Sequence, residues 1–136
     1  MDNIKVAVRL RPLFEREKKA GAAWRCDEQT LEGLPGKTPT QHCPKFTYDH
    51  VYPSSYPTSR VYSDIAAPLV EDACEGMNTT IFAYGQTSSG KTHTMFGDEE
   101  NPGIIPSAIQ QIFSYVALNQ DREFLIRASF LEIYNE

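Results

Sequence analysis

Residues 85 to 92 read Gly-Gln-Thr-Ser-Ser-Gly-Lys-Thr, the pattern G-x-x-x-x-G-K-T. Its residue types suit a loop that wraps a chain of phosphates. Gly85 and Gly90 let the backbone adopt conformations that aim successive N–H groups inward, forming an anion nest. Lys91 supplies a point charge for the outer phosphates, and the Thr92 hydroxyl is placed to ligate Mg²⁺. Gln86, Thr87, Ser88 and Ser89 complete the loop, the last three small enough not to block the cradle. The plain alternative is a flexible Gly/Ser loop. At average residue frequencies a chance match arises on the order of once in a few hundred chains of this size, so the flanking elements decide.

Those flanks have the required order. Thr79 to Tyr84 (TTIFAY) is short, β-branched and aromatic, and reads as a buried strand. A helix is expected to begin at the end of GQTSSGKT, where its positive N-terminal end adds to the nest. It breaks at the acidic turn Gly97-Asp98-Glu99-Glu100-Asn101-Pro102-Gly103 and resumes at Pro106 with Ile109, Ile112, Phe113 and Val116 inward.

Further out, Ile4, Val6, Val8 and Leu10 alternate with polar or small residues, the period of a strand that Pro12 ends. Residues 14 to 23 read as a loop or short helical turn. From Trp24 to Pro44 the density of Gly33, Pro35, Gly36, Pro39 and Pro44 leaves room only for short hairpin strands. Phe46, Tyr48, His50 and Tyr52 alternate as a second full strand stopped by Pro53. Thr58 or Ser59 is placed to cap a helix with Val61, Ile65, Ala66, Leu69, Val70 and Ala73 on one face, kinked by Pro68 and ended by Gly76. Phe124 to Tyr134 is apolar on both faces, as in a central strand covered on each side.

The chain has 136 residues, the length of one ordinary domain, and its 40% apolar content is that of a folded chain. A net charge of −5 argues against a general nucleic-acid binder. Cys26, Cys43 and Cys74 are odd in number and far apart, so reduced thiols are expected and a disulfide framework is not. Cys26, His42, Cys43 and His50 match no standard zinc spacing. No apolar run exceeds four residues, the length of Ile81 to Tyr84, so neither secretion nor a membrane span is expected.

The stretch IFAYGQTSSGKTHTMFG, residues 81 to 97, strongly resembles the nucleotide-binding segment of kinesin motor domains. Arg9-Leu10-Arg11-Pro12 looks like the family's adenine motif, and Phe46 to Tyr52 looks like its second strand. Gly103-Ile104-Ile105-Pro106 and Phe130 to Glu136 match the resumed helix and the strand after it. Ile65 to Pro68 and Asp121 to Phe124 look most like the centromere-associated branch.

The resemblance implies an α/β P-loop NTPase fold with a mixed central sheet between helices, of which this chain would be the N-terminal part. It implies ATP and Mg²⁺ as ligands, with Thr92 on the metal. Arg9, Arg11 and Pro12, with Tyr62 from the first helix, would line the adenine side, and contact through ring faces reads base edges poorly. His93 either approaches the purine or stands as a partly exposed helix histidine. Glu132 is assigned no catalysis. In the family the acidic insertion, here Asp98 to Glu100, can influence nucleotide exchange. Microtubules would be the track of the complete motor, the location cytoskeletal or at the kinetochore, and dimerisation would use a coiled coil that is not in this sequence.

Hydrolysis needs more than a phosphate grip. In kinesins it uses an N-x-x-S-S-R and a D-x-x-G-x-E segment. Thr58-Ser59-Arg60 is the nearest approach to the first, and no Asp here has Gly three residues later. The isolated chain is therefore expected to bind nucleotide at most. Because the family sheet runs second, first, eighth, third, seventh, sixth, fourth, fifth, the first two strands can pair while the third and fourth lack both neighbours. A truncated non-motor product and a small P-loop kinase are the rival readings. The kinase is disfavoured because two strands and a helix precede the loop.

Overall fold

The computed structural model describes residues 4–38 and 43–134. Pro39, His42, Asn135 and Glu136, which figure in the expectations above, lie outside them. Strand β1 (Ala7–Arg9) pairs in parallel with β5 (His50–Tyr52), Arg9 standing opposite Tyr52. Strands β2 (Trp24–Cys26), β3 (Thr30–Gly33) and β4 (Lys45–Thr47) form a separate antiparallel sheet. The hairpin expected between Trp24 and Pro44 is thus present, and residues 14 to 23 take the helical option in α1 (Glu15–Lys18).

Two strand expectations need correction. The first strand is confined to three residues, and Ile4 and Val6 are exposed. Just before it, the Val6 amide donates to the Asp49 carboxylate at 2.7 Å, while the Asp49 amide donates to the Val6 carbonyl at 3.1 Å. The single strand expected from Phe46 to Tyr52 is divided between the two sheets. Its chain changes partner at Tyr48, whose amide donates to the Gln29 carbonyl at 2.9 Å. A constant side-chain alternation continues across such a switch and does not reveal it.

The helix after Pro53 comprises α2 (Thr58–Val61), a wide π turn (Tyr62–Ala66) and α3 (Ala67–Cys74). The wide turn lies directly before Pro68, where an α-helical N–H is missing. Gly76, at φ +99°, follows the helix end. Val61, Ala66 and Val70 are buried, whereas Ala73 is exposed. The expected Thr58 or Ser59 cap is not made: Pro57 is the cap residue, and the Thr58 hydroxyl instead accepts a bond from Arg9.

Helix α4 (Lys91–Met95) leads through a turn bridged at Gly97 and Pro102 into α5 (Ile104–Leu118), which starts two residues before Pro106. Ile109 and Phe113, expected inward, are exposed, while Ile112 and Val116 are half-buried. The helix packs along α3 and the π turn, and its remaining apolar face has no sheet beneath it among the described residues.

The segments Thr79–Tyr84 and Phe124–Tyr134 form no ladder, contrary to their reading as buried strands. Tyr84 is 95% and Phe130 97% exposed. A strand exists only with a hydrogen-bonding partner, and none faces these segments among the described residues. Among the described residues the architecture is α/β with two small sheets: the first and second expected strands pair, as anticipated, and the third and fourth segments lack neighbours, so the mixed central sheet is only begun. No helix among the described residues is long and apolar enough to cross a membrane.

The core that matters for the site is small. Tyr52, Val61, Ala66 and Ile104 are buried together, with Tyr62, Ile65, Ile81 and Met95 packed against them. Ile81 lies just before the Gly85–Thr92 loop and Met95 just after it. Burial on both sides therefore pins the two ends of that loop to one cluster.

Candidate functional site

The glycine positions of the loop are set by space and by backbone geometry. Gly85 has φ +151°, and a Cβ there would stand 2.6 Å from the Ser89 hydroxyl oxygen. Gly90, at φ +100°, occupies the left-handed region just ahead of α4. Ser88 also has positive φ, at 64°, which is uncommon for a residue with a side chain and is found where local structure enforces it.

Within the loop the Ser89 amide donates to the Gln86 carbonyl at 3.1 Å. The amides of Thr87, Ser88 and Gly90 make no backbone hydrogen bond among the described residues. Those of Lys91 and Thr92 begin a helix and have no intrahelical acceptor. The Lys91 ammonium donates to the carbonyls of Gly85 at 2.7 Å and Gln86 at 2.9 Å. An ammonium has three protons, so two bonds leave one donor. No carboxylate lies within ion-pair reach of Lys91 among the described residues. The loop thus presents unpaired N–H groups and an uncompensated positive charge, the donor set of an anion cradle. Because α4 has only five residues, the cradle relies on these local donors more than on a long helix dipole.

Beside the loop lies a cavity of about 270 Å³. Six sequence candidates meet at its wall: Arg9, Arg11, Pro12, Ser89, Gly90 and His93. Gly85, Gln86, Thr87, Ser88, Lys91 and Thr92 continue the loop beyond that wall. His93 is exposed as well as cavity-lining. Tyr62 does not reach the cavity wall: its side chain packs on the core and its hydroxyl donates to the Gln111 amide oxygen of α5.

The two arginines have different surroundings. Arg11 makes a two-pronged ion pair with Glu17, at 2.7 and 2.8 Å, and its guanidinium lies 4.1 Å from the centre of the Phe14 ring. That pair, with the Phe14 amide, holds the Glu17 carboxyl down at about 2. Arg9 donates to the hydroxyls of Thr94 and Thr58, both at 3.0 Å, and partial burial lowers its pKa.

Sequence reasoning missed Thr58, Thr94, Tyr56 and Asn101, all of which line the cavity. Thr58 and Thr94 lie 49 and 85 residues from Arg9, so no local pattern signals them. Asn101 brings the acidic turn to the cavity edge. The turn is held by the Asp98 carboxylate, which accepts from the Asn101 amide at 2.7 Å and the Glu100 amide at 3.1 Å, and these bonds lower its pKa.

The profile described as Kinesin motor domain matches residues 9–136. Among curated proteins, the human centromere-associated protein E is 44% identical over 98% of this chain and 5% of its own length. The Arabidopsis thaliana kinesin-like protein KIN-7D, mitochondrial, is 49% identical over 99% of this chain and 13% of its own length. The rice kinesin-like protein KIN-7K, chloroplastic, is 47% identical over the same shares, 99% and 13%. The chain therefore spans a small fraction of the relatives it matches, and the matched part contains the loop, the cavity and the acidic turn. This chain belongs to the kinesin motor-domain family.

Proposed function

We propose that this chain is the ATP·Mg²⁺-binding part of a microtubule motor, with residues 85 to 92 holding the phosphates. The observation that carries this reading is the Gly85–Thr92 loop, whose unpaired amides and Lys91 ammonium adjoin a cavity walled by Arg9, Arg11, Pro12 and His93. The absence of room for a Cβ at Gly85 and the lack of a carboxylate beside Lys91 fit an anionic ligand. Thr92, exposed at the start of α4, is the residue that would ligate Mg²⁺, and the ion would neutralise charge on the outer phosphates. Arg9, Arg11 and Pro12 would face the base, with little reading of its edges.

In the complete protein this grip would serve ATP hydrolysis coupled to movement along microtubules, with a cytoskeletal location and dimerisation through a coiled coil. One relative is named for the centromere, and the kinetochore is a candidate site of action here. These 136 residues lack both segments that sense the γ-phosphate in kinesins, so the isolated chain would bind nucleotide at most and not turn it over. Equilibrium binding of ATP by calorimetry, with Mg²⁺ or EDTA and with GTP as a competitor, tests the assignment. One site that needs Mg²⁺ and admits GTP within about tenfold supports it, given base contact through faces alone. No saturable binding contradicts it.

A further inference from the structure

Arg9 ends β1, and its guanidinium joins three parts of the chain. One nitrogen donates to the Thr94 hydroxyl of α4 and the other to the Thr58 hydroxyl in the first turn of α2, each at 3.0 Å. The second nitrogen also lies 3.5 Å from the Tyr56 carbonyl. Thr58 is only 3% exposed, the one polar side chain buried among the described residues, and Arg9 satisfies it. The base of this brace is firm, because Arg9 stands opposite buried Tyr52 and the Leu10 amide donates to the Tyr52 carbonyl at 2.9 Å.

Helix α4 needs such a brace. Five residues do not hold a helix in water, since nucleation is costly and few bonds repay it. Met95 packs one end of α4 against the core, and Thr94 ties the same turn to Arg9. Lys91, one turn earlier, carries the loop amine, so the orientation of α4 sets where that amine stands. A lysine at position 9 would keep the charge and lose the planar fork that reaches two hydroxyls at once.

We propose that Arg9 is a positioning residue for the phosphate loop, acting through the Thr94 and Thr58 hydroxyls, in addition to walling the base cavity. This rests on the reading of residues 85 to 92 as the phosphate cradle. A wall residue alone would affect only ligands that carry a base. A brace on α4 affects the phosphate grip itself.

The test compares ATP with inorganic tripolyphosphate, both with Mg²⁺, on the full chain and on Thr94→Val, Thr94→Ser and Arg9→Lys. With the brace in force, Thr94→Val weakens both ligands by a similar factor, on the order of tenfold, as expected for losing a bond to a charged group, and Arg9→Lys weakens both at least as much, ATP the more because the base wall changes too. Thr94→Ser keeps the hydroxyl and stays near the parent. If Arg9→Lys weakens ATP alone and Thr94→Val changes nothing, Arg9 is a wall residue only and the proposal is overturned.

Hydrogen exchange without ligand gives a second readout. In Thr94→Val and Arg9→Lys the amides of Thr94, Phe96 and Gly97 exchange faster while those of α3 keep the parent rate. Parent rates at all three amides in both variants overturn the brace, as does equal loss of protection in α3 and α4 in both. If the parent chain binds neither ligand, the phosphate-cradle reading fails, and the exchange rates still decide whether Arg9 positions α4.

Discussion

The Lys91 ammonium lies 2.7 Å from the carbonyl oxygen of Gly85, so the Gly85–Thr92 loop closes on its own lysine. The loop is narrow at that point, because a Cβ on Gly85 would meet the Ser89 hydroxyl at 2.6 Å and the backbone has φ +151°. Gly85→Ala is therefore expected to displace both the carbonyl and Ser89. Fluorescence titration should show ATP affinity lowered by roughly tenfold or more, on the scale of one charged hydrogen bond. An unchanged affinity would mean that the cradle tolerates a side chain there.

Gly103 poses a different constraint, since its backbone is extended at φ −77° and ψ −173° and any residue could adopt it. Space is what excludes a side chain: a Cβ would lie 2.4 Å from the Phe96 carbonyl carbon and 2.5 Å from Met95 backbone atoms. Gly103→Ala should cost about 1–3 kcal/mol, the range for forcing atoms into a packed site. Denaturant melts followed by circular dichroism would measure it, and a shift below a few tenths of a kcal/mol would contradict the close approach.

The pair of Glu17 and Arg11 makes a pH prediction. The Glu17 carboxyl titrates at about 2 in the fold against 4.5 for the free group. A depressed carboxylate contributes stability that is present above pH 4.5 and is lost as the pH falls towards 2. The melting temperature of the parent chain should therefore fall more steeply across that window than that of Glu17→Gln. Parallel curves would show that the exposed ion pair contributes nothing, as many surface pairs do.

Unpaired apolar segments are aggregation templates. Phe82, Phe130 and Leu131 are 81%, 97% and 89% exposed on segments without a ladder. Light scattering of the chain is expected to rise with concentration, and a Phe130→Lys, Leu131→Lys double variant is expected to scatter less. Equal scattering would place the association elsewhere.

What the sequence revealed depended on how locally each feature is encoded. The GQTSSGKT loop is contiguous, so its residue types and the turn at Gly97 to Gly103 were legible as written. The helix from Thr58 to Cys74 was legible from its 3.6-residue period and its proline. Partnership was not. The alternation of Phe46, Tyr48, His50 and Tyr52 persists across the point where the chain leaves one sheet for the other. The two-sided apolarity of Phe124 to Tyr134 records a demand for neighbours without supplying them. The bonds from Arg9 to Thr58 and Thr94 join residues far apart in the chain, and the contact of Tyr62 with Gln111 spans 49 residues. Such contacts are set by packing and leave no local pattern.

Titration of a fluorescent ATP analogue in the presence of Mg²⁺, on the full chain and on Lys91→Ala, tests the central claim most directly. Saturable binding that weakens by about tenfold or more in the variant is the expected result, since it removes the charged donor of the cradle. Binding that is equally tight in both proteins, or absent from the parent, would contradict the assignment of residues 85 to 92 as a working phosphate grip.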